Sequence, residues 1–237
     1  NMDEAIERIF AFYEEQGLHI VHTTNPEFIL KAQKDELYRT ILNGADLAVP
    51  DGIGTVIASK FKDTKLKSRV PGCDLALNLM DKMQGTNYSV YILGSSQANL
   101  ENAIKNLKEK YPNLNIAGSH NGYFKDEDDE AIIEDINRSG ATLLLVGMGG
   151  IDKQEKWVWK YKDRIKARVS IGVGGSIDVY GGAVKRAPKF YQKTNLEWLY
   201  RTMSEPKKRL PRVYKLPLFV VKAANESLFG PRKKKNK

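Results

Sequence analysis

The sequence predicts an α/β protein, with a mostly parallel sheet between layers of helices and a basic, helical C-terminal appendage. Three observations support this prediction. Strand-like and helix-like segments alternate through residues 1–184. Two late segments, 142–149 and 168–175, are nearly unbroken apolar runs, which is typical of strands buried on both faces. After residue 188 the alternation stops and basic residues become dense.

The first quarter of the chain contains three helix-like and two strand-like segments. Residues 3–16 carry apolar side chains at helical spacing, and a glycine follows them. Residues 18–24 (LHIVHTT) form a β-rich run. Residues 26–43 begin with proline and end at Asn-Gly, which predicts one continuous helix. Residues 46–50 (DLAVP) indicate a short buried strand, and residues 53–61 indicate a helix.

The same alternation continues through the middle of the chain. Residues 73–84, after a Pro-Gly pair, and residues 97–110, which a proline closes, have helical patterns. Residues 88–94 (YSVYILG) and 114–120 (LNIAGSH) are strand-like. Residues 126–138 are predicted to form an acidic helix.

The two late apolar runs, TLLLVGMG and RVSIGVGG, flank a helix-like segment at 153–162. Strands that alternate with helices in this way form βαβ units, so we predict a Rossmann-like core over residues 1–188. The appendage, residues 189–237, contains an amphipathic segment at 195–203 and a possible helix at 215–229.

Charge is distributed unevenly along the chain. Residues 185–237 hold 16 Lys and Arg against three Asp and Glu, a net charge of +13. The whole chain has a net charge of +9, so the preceding residues are mildly acidic at −4. The appendage therefore seeks an anionic partner. Its mixture of apolar and basic residues favours a membrane surface, although basic stretches with aromatic residues also suit nucleic acid.

The composition of the chain bears on its cellular compartment and on whether it binds a metal ion. Cys73 is the single cysteine, so an internal disulfide is excluded. We find no signal-peptide pattern and no apolar stretch near the roughly 18 residues that span a bilayer. Three dispersed histidines do not indicate a metal site, and the acidic run EDDE is more typical of a solvated helix start. A single cysteine suits a reducing compartment, although a secreted protein without disulfides would look the same. We expect a cytoplasmic protein that needs no metal or other cofactor.

Polar and glycine-rich stretches follow five of the predicted strands. They are TTN (23–25), PDG (50–52), GSS (94–96), GMGG (147–150) and GVGGS (172–176). Ligands bind beyond the carboxyl ends of the strands in open parallel sheets, so we expect the active site there.

Each candidate in these stretches also has an ordinary structural interpretation. Asp51 is either a turn former or a general base for a sugar hydroxyl. Thr23 and Asn25 either cap the next helix or hydrogen-bond a sugar. The GVGGS segment is either a tight turn or a loop whose backbone N–H groups meet a diphosphate, and Arg69 is either a solvated charge or an anion ligand.

Five stretches together resemble the WecG/TagA/CpsF glycosyltransferases, from about residue 2 to 205 and in the family's order. The matching stretches are TTNPEFILKAQKD, NGADLAVPDGIG, RVPGCDL, VGMGGIDKQEKW and GVGGSIDVYGGAVKRAPKFYQKTNLEWLYR. The KQE and KRAP…LEWLYR blocks look closest to the members that build the linkage unit of wall teichoic acid.

The resemblance implies an inverting, metal-independent transfer. N-acetylmannosamine would pass from its UDP conjugate to undecaprenyl-diphosphate-linked N-acetylglucosamine through a β-1,4 bond, on the inner face of the plasma membrane. A related transferase that uses UDP-N-acetylmannosaminuronic acid or UDP-glucose is the alternative. A nucleic-acid-binding protein that acts through its tail is the alternative of another class. Apolar appendage surfaces also suggest a homo-oligomer in solution.

The resemblance also assigns roles to individual residues. Asp51 looks like the catalytic base and Arg69 like a diphosphate ligand. Thr23, Asn25 and Gln154 look like sugar- and donor-binding residues. The residues expected at the nucleotide end of the pocket are Gly94, Gly172, Gly174, Gly175, Ser176 and Asp178.

The appendage is expected to dock on the membrane and to complete the active site with arginines. Arg201 is the clearest match, and Lys207, Lys208, Arg209 and Arg212 are looser ones. Two departures from the family pattern stand out: Asp152 replaces a proline that many members have before KQE, and the short strand that usually begins the family is missing or trimmed.

Overall fold

The computed structural model describes residues 1–63, 65–150, 152–204, 206–213 and 215–229. At residues 193, 201, 208, 209, 211, 212, 216 and 226–229 it describes the backbone alone. Within this part of the chain the predicted α/β fold is confirmed, with one sheet of six parallel strands between helices.

The strands follow the alternation that the sequence predicts. They are β1 (His19–Thr24), β2 (Leu47–Pro50), β3 (Ser89–Gly94), β4 (Asn115–His120), β5 (Leu143–Gly147) and β6 (Val169–Gly172). Their order across the sheet is β2-β1-β6-β5-β3-β4. The first and last strands of the core are therefore neighbours, and the TTN, PDG and GVGGS stretches meet at one edge.

The helices of the core are α1 (Met2–Glu14), α2 (Pro26–Ala32), α3 (Glu36–Asn43), α4 (Ile53–Ser59), α5 (Gly72–Met83), α6 (Gln97–Lys110), α7 (Asp129–Ser139), α8 (Lys153–Tyr161) and α9 (Ser176–Tyr180). Those of the C-terminal segment are α10 (Lys189–Lys193), α11 (Glu197–Ser204), α12 (Pro206–Val213) and α13 (Lys215–Phe229).

Apolar side chains cover both faces of the sheet. Helices α1, α5, α6 and α9 pack on one face around residues such as Ile9, Leu79 and Ile92. Helices α7 and α8 pack on the other face around Ile133 and Val146. Because both faces are covered, the strand ends are the part of the sheet left open to a ligand.

The C-terminal segment lies against the core. Phe219 and Ala223 of α13 pack on Ala58 of α4, with Ile29 and Leu30 of α2 beside them. This third apolar cluster holds the last described helix next to the PDG turn, from which α4 begins. The described residues of the segment add no strand to the sheet, as the sequence predicts.

The prediction of one helix over 26–43 was wrong. The helix stops at Ala32 and a second one begins at Glu36, because the Asp35 side chain accepts a hydrogen bond from the Tyr38 amide and caps a new first turn. The prediction over 126–138 was also too simple: residues Asp126–Asp128 form a 3₁₀ turn, and the α-helix begins at Asp129.

Candidate active site

A cleft of about 320 Å³ opens at the carboxyl ends of β1, β2 and β6. It brings together eight residues that the sequence singles out. They are Thr23, Asn25, Asp51, Arg69, Gln154, Gly174, Gly175 and Ser176. These residues span more than 150 positions of sequence, and the parallel sheet collects them at one edge.

Asp51 follows the last residue of β2 and is half-buried at the cleft wall. Its backbone amide donates to the Thr24 carbonyl at 2.9 Å, which continues the pairing of the strands past their ends. One carboxylate oxygen lies 3.5 Å from the amide nitrogen of Gly72, at the first turn of α5. The carboxylate therefore stands at the mouth of the sheet beside a helix N-terminus, where negative charge is favoured.

Thr23 and Asn25 have structural roles as well as places in the cleft. The Thr23 hydroxyl donates to the Gly172 carbonyl at 2.9 Å and ties the end of β1 to the end of β6. The Asn25 side-chain oxygen accepts from the amides of Glu27 and Phe28 and caps α2. Because the oxygen of Asn25 is used by the cap, its amide NH₂ is the group left to meet a ligand.

Arg69 is half-buried and is held by the C-terminal segment. Its guanidinium donates to the Gln192 carbonyl at 2.7 Å and lies 3.8 Å from the Glu197 carboxylate. The Arg69 side chain is 16% exposed and that of Glu197 is 10% exposed, so this is not a solvated surface pair. The segment after residue 188 thus fixes the orientation of a cation that faces the cleft.

The GVGGS loop forms the floor of the cleft. Gly174 has a φ of +52°, a conformation that side chains other than glycine rarely adopt. Its amide donates to Gln154 Oε1 at 3.1 Å, and the Ser176 hydroxyl donates to the Val173 carbonyl at 2.7 Å. The loop is therefore shaped by its own hydrogen bonds and by Gln154 from the start of α8.

Three predicted residues lie beside or below the cleft instead of lining it. Gly172 ends β6 and lies against the Gln154 side chain. Gly94 ends β3 and lies against the Gly147 backbone. Asp178 accepts hydrogen bonds from the Ser95 hydroxyl and, at 3.0 Å, from the Asn99 side chain. Their assignment to the nucleotide stays a prediction.

The predicted appendage residues have less structural detail. Arg201 lies in α11, but its side chain is outside the described residues, as are those of Lys208, Arg209 and Arg212. Lys207 is exposed in α12.

A smaller cleft of about 210 Å³ continues from the first past Asp51. Ile53 and Gly54 line it on the core side, and Trp198, Thr202 and Val213 line it on the side of the C-terminal segment. The two clefts share Asp51, so the carboxylate stands between a polar pocket and a less polar passage.

Sequence reasoning missed three acidic groups: Glu27 and Glu197 line the cleft, and Glu155 lies behind it against Gln154. Glu197 lines the cleft next to Arg69, and its place in LEWLYR was the available signal. Glu155, in KQE, is only 3% exposed, and its Oε1 accepts a hydrogen bond from Gln154 Nε2 at 2.7 Å. Burial raises the pKa of the Glu155 carboxyl to about 7.

Asp152, the expected departure from the family pattern, occupies the N-cap position of α8. Its carboxylate pairs with Lys156 at 2.6 Å and with Lys31 of α2 at 3.0 Å. The hydrogen bond from Lys156 and the nearby Lys31 lower the pKa of Asp152. This departure therefore adds a link between α2 and α8 beside Gln154.

Two findings concern metals and membranes. The described residues contain no group of three or more His, Cys, Asp or Glu side chains placed to hold a metal ion. No described helix combines the length and the apolarity needed to cross a membrane.

Comparison with known proteins adds a family and an activity. The family model described as "Glycosyl transferase WecG/TagA/CpsF family" matches residues 1–233. An N-acetylglucosaminyldiphosphoundecaprenol N-acetyl-beta-D-mannosaminyltransferase of Bacillus spizizenii is 36% identical over 207 residues, which are 87% of this chain and 79% of that enzyme. A Staphylococcus aureus enzyme of the same name is 35% identical over 223 residues, 94% of this chain and 86% of that enzyme.

Proposed function

The chain belongs to the WecG/TagA/CpsF family of glycosyltransferases, and on that premise we propose the following reaction. It transfers N-acetylmannosamine from UDP-N-acetylmannosamine to N-acetylglucosaminyl-diphosphoundecaprenol, with inversion and a β-1,4 bond. The single observation that carries the proposal is the shared cleft, in which a carboxylate, an arginine and a glycine-rich loop converge.

Asp51 is the proposed general base. Its carboxylate accepts the proton of the acceptor's 4-hydroxyl as that oxygen attacks the anomeric carbon of the donor sugar. The bond from the anomeric carbon to the β-phosphate oxygen breaks on the opposite face, which inverts the configuration and releases UDP. Its position in the lining of both clefts supports this role, and we propose the larger cleft as the donor pocket and the smaller one as the acceptor passage.

The leaving diphosphate gains negative charge, which the chain must stabilise. Arg69 offers a guanidinium fork fixed in advance by Gln192 and Glu197. Backbone N–H groups around Gly174 and Gly175 add fixed dipoles at the cleft floor. We propose that these groups take the role that a divalent cation has in metal-dependent transferases, and that turnover continues in excess EDTA.

The C-terminal segment is the proposed membrane contact, on the inner face of the plasma membrane. Among the described residues, six large apolar side chains of this segment are exposed: Phe190, Trp198, Met203, Leu210, Leu218 and Val221. Exposed apolar groups next to basic residues favour an interfacial position, and each Lys or Arg near an anionic surface contributes about 1 kcal/mol. In the absence of a membrane, the same surfaces could be covered in a homo-oligomer.

We retain the division into a core, residues 1–188, and an appendage, residues 189–237, as part of the proposal. The two parts meet at Arg69, a cation of the core that Gln192 and Glu197 of the appendage hold in place. Arg201 is proposed as a further cation that the appendage brings to the donor.

A donor panel tests the substrate assignment. UDP-N-acetylmannosamine, UDP-N-acetylmannosaminuronic acid and UDP-glucose are each offered with a short-chain N-acetylglucosaminyl-diphospho-lipid, and UDP release is measured. We expect turnover with UDP-N-acetylmannosamine. Turnover with either of the other donors alone would replace the proposed sugar while retaining the reaction class.

A further inference from the structure

Glu155 is the most buried carboxylate in contact with the cleft residues, and the reaction above leaves it without a role. It is 3% exposed, and within the described residues its Oε2 has no hydrogen-bond partner. Its Oε1 accepts from Gln154 Nε2 at 2.7 Å. An ionisable group kept in an apolar interior costs stability, so its presence needs a reason.

The hydrogen bonds around Gln154 suggest that reason. Gln154 Oε1 accepts from the Gly174 amide at 3.1 Å, while Nε2 donates to Glu155. The Gln154 amide lies between an acceptor, the Glu155 carboxylate, and a donor, the Gly174 N–H. Only one orientation of the amide satisfies both hydrogen bonds. Glu155 therefore fixes Gln154, and Gln154 fixes the amide of the one loop glycine that has a positive φ.

The packing of Gly172 shows how closely this arrangement fits. A Cβ at position 172 would lie 2.5 Å from Gln154 Nε2 and 3.1 Å from Glu155 Oε1. The carbonyl of Gly172 accepts from Thr23. The Gln154 and Glu155 side chains thus fill the space next to Gly172, at the end of β6. The hydrogen bond from Thr23 ties this strand end to β1.

We propose that Glu155 is a positioning residue for the donor pocket, which holds the Gln154 amide so that Gln154 holds the GVGGS loop in its ligand-binding shape. Glu155 does not touch the reacting atoms. This inference rests on the proposed donor, because it is the diphosphate of a UDP-sugar that the loop amides would meet.

The test compares three variants of the full chain. At pH 8, where most of the wild-type carboxyl is ionised, Glu155→Gln replaces the charge-assisted hydrogen bond with a neutral one, and Glu155→Ala removes the acceptor. The matched control is Asp129→Asn. Asp129 is also buried, at 2% exposure, and accepts hydrogen bonds from Trp157 and Tyr161 of the same helix α8, away from the cleft.

Two readouts are measured. The first is hydrogen exchange of the Gly174 amide by NMR, which needs no ligand. We expect exchange to rise about 3- to 10-fold in Glu155→Gln and more in Glu155→Ala, in proportion to the weakened hydrogen bond. The second is the Kd for UDP, which should rise by similar factors. Asp129→Asn should change neither.

If the Gly174 amide exchanged at the wild-type rate in both Glu155 variants, the positioning role would be overturned. An equal increase of this rate in Asp129→Asn would overturn it as well. If Glu155→Ala does not fold, Glu155→Gln decides the matter. A wild-type chain without affinity for UDP would contradict the donor of the proposed function, and the exchange comparison would still test the role of Glu155.

Discussion

Replacing Glu155 by glutamine should stabilise the fold. The carboxyl has an ordinary pKa of 4.5, and burial raises the pKa of Glu155 to about 7. The shift amounts to about 3 kcal/mol, at 1.36 kcal/mol for each pKa unit. The residue is 3% exposed, so solvent screening does not reduce this figure greatly. Glutamine keeps the side-chain length and an acceptor for Gln154 but never ionises.

The gain depends on pH in a defined direction. A raised pKa means that the folded chain binds a proton more tightly than the unfolded chain, so wild-type stability falls as pH rises from 4.5 to about 7. Three groups face Glu155 or act on it: His22 of β1, Tyr38 of α3 and Asp152 before α8. Burial lowers the pKa of His22 to about 4 and raises that of Tyr38, so neither is charged at pH 8.

Chemical unfolding of wild type and Glu155→Gln at pH 5 and at pH 8 measures the effect. We expect the variant to gain about 3 kcal/mol at pH 8 and under 1 kcal/mol at pH 5, near the pKa of the unfolded carboxyl. The gain at pH 8 corresponds to a Tm increase of roughly 6–12 °C for a chain of this size. If the two proteins differed in unfolding free energy by the same amount at both pH values, the claim that burial raises the pKa of Glu155 would be refuted.

Three further predictions concern the cleft and the membrane. Arg69→Lys should raise the KM for the donor at least tenfold, because lysine cannot replace the fork held by Gln192, while the surface variant Arg164→Lys should leave it unchanged. Gly174→Ala and Gly182→Ala, both at positive φ in open space, should each cost about 1–2 kcal/mol in unfolding free energy. Only Gly174→Ala should also weaken UDP binding, as titration calorimetry would reveal. Removing residues 230–237, which hold five Lys and Arg, should weaken sedimentation with phosphatidylglycerol vesicles at least tenfold and leave the UDP Kd unchanged. Equal sedimentation of the two forms would remove this segment from the membrane contact.

Much of the fold followed from sequence because the alternation of strands and helices is regular. A parallel sheet places all strand carboxyl ends at one edge, so Asp51 and the GVGGS loop could be placed on that edge from the sequence. That they meet depends on the order β2-β1-β6, which the sequence did not predict. The break between α2 and α3 was missed because the capping side chain of Asp35 lies inside an otherwise helical pattern.

Long-range contacts were less predictable. The sequence does not say that the Gln192 carbonyl, 123 positions from Arg69, would hold the guanidinium. Nor does it say that Glu155 would turn inward, since a glutamate in the first turn of a helix is ordinarily solvated near the helix N-terminus. Both contacts depend on how elements distant in sequence pack together, which periodicity does not encode.

Asp51→Asn tests the central claim most directly, with Asp46→Asn as its control. Asp46 precedes the opposite end of the same strand and accepts a hydrogen bond from the Ile20 amide, away from the cleft. The measurement is the kcat for transfer from UDP-N-acetylmannosamine to the lipid-diphosphate acceptor, together with the UDP Kd. Loss of the general base should lower kcat of Asp51→Asn by about 10²–10⁴ at an unchanged Kd, with Asp46→Asn close to wild type. If the kcat of Asp51→Asn fell by only about threefold or less, the loss would be far smaller than the contribution of a general base. That result would contradict the claim that this carboxylate activates the acceptor.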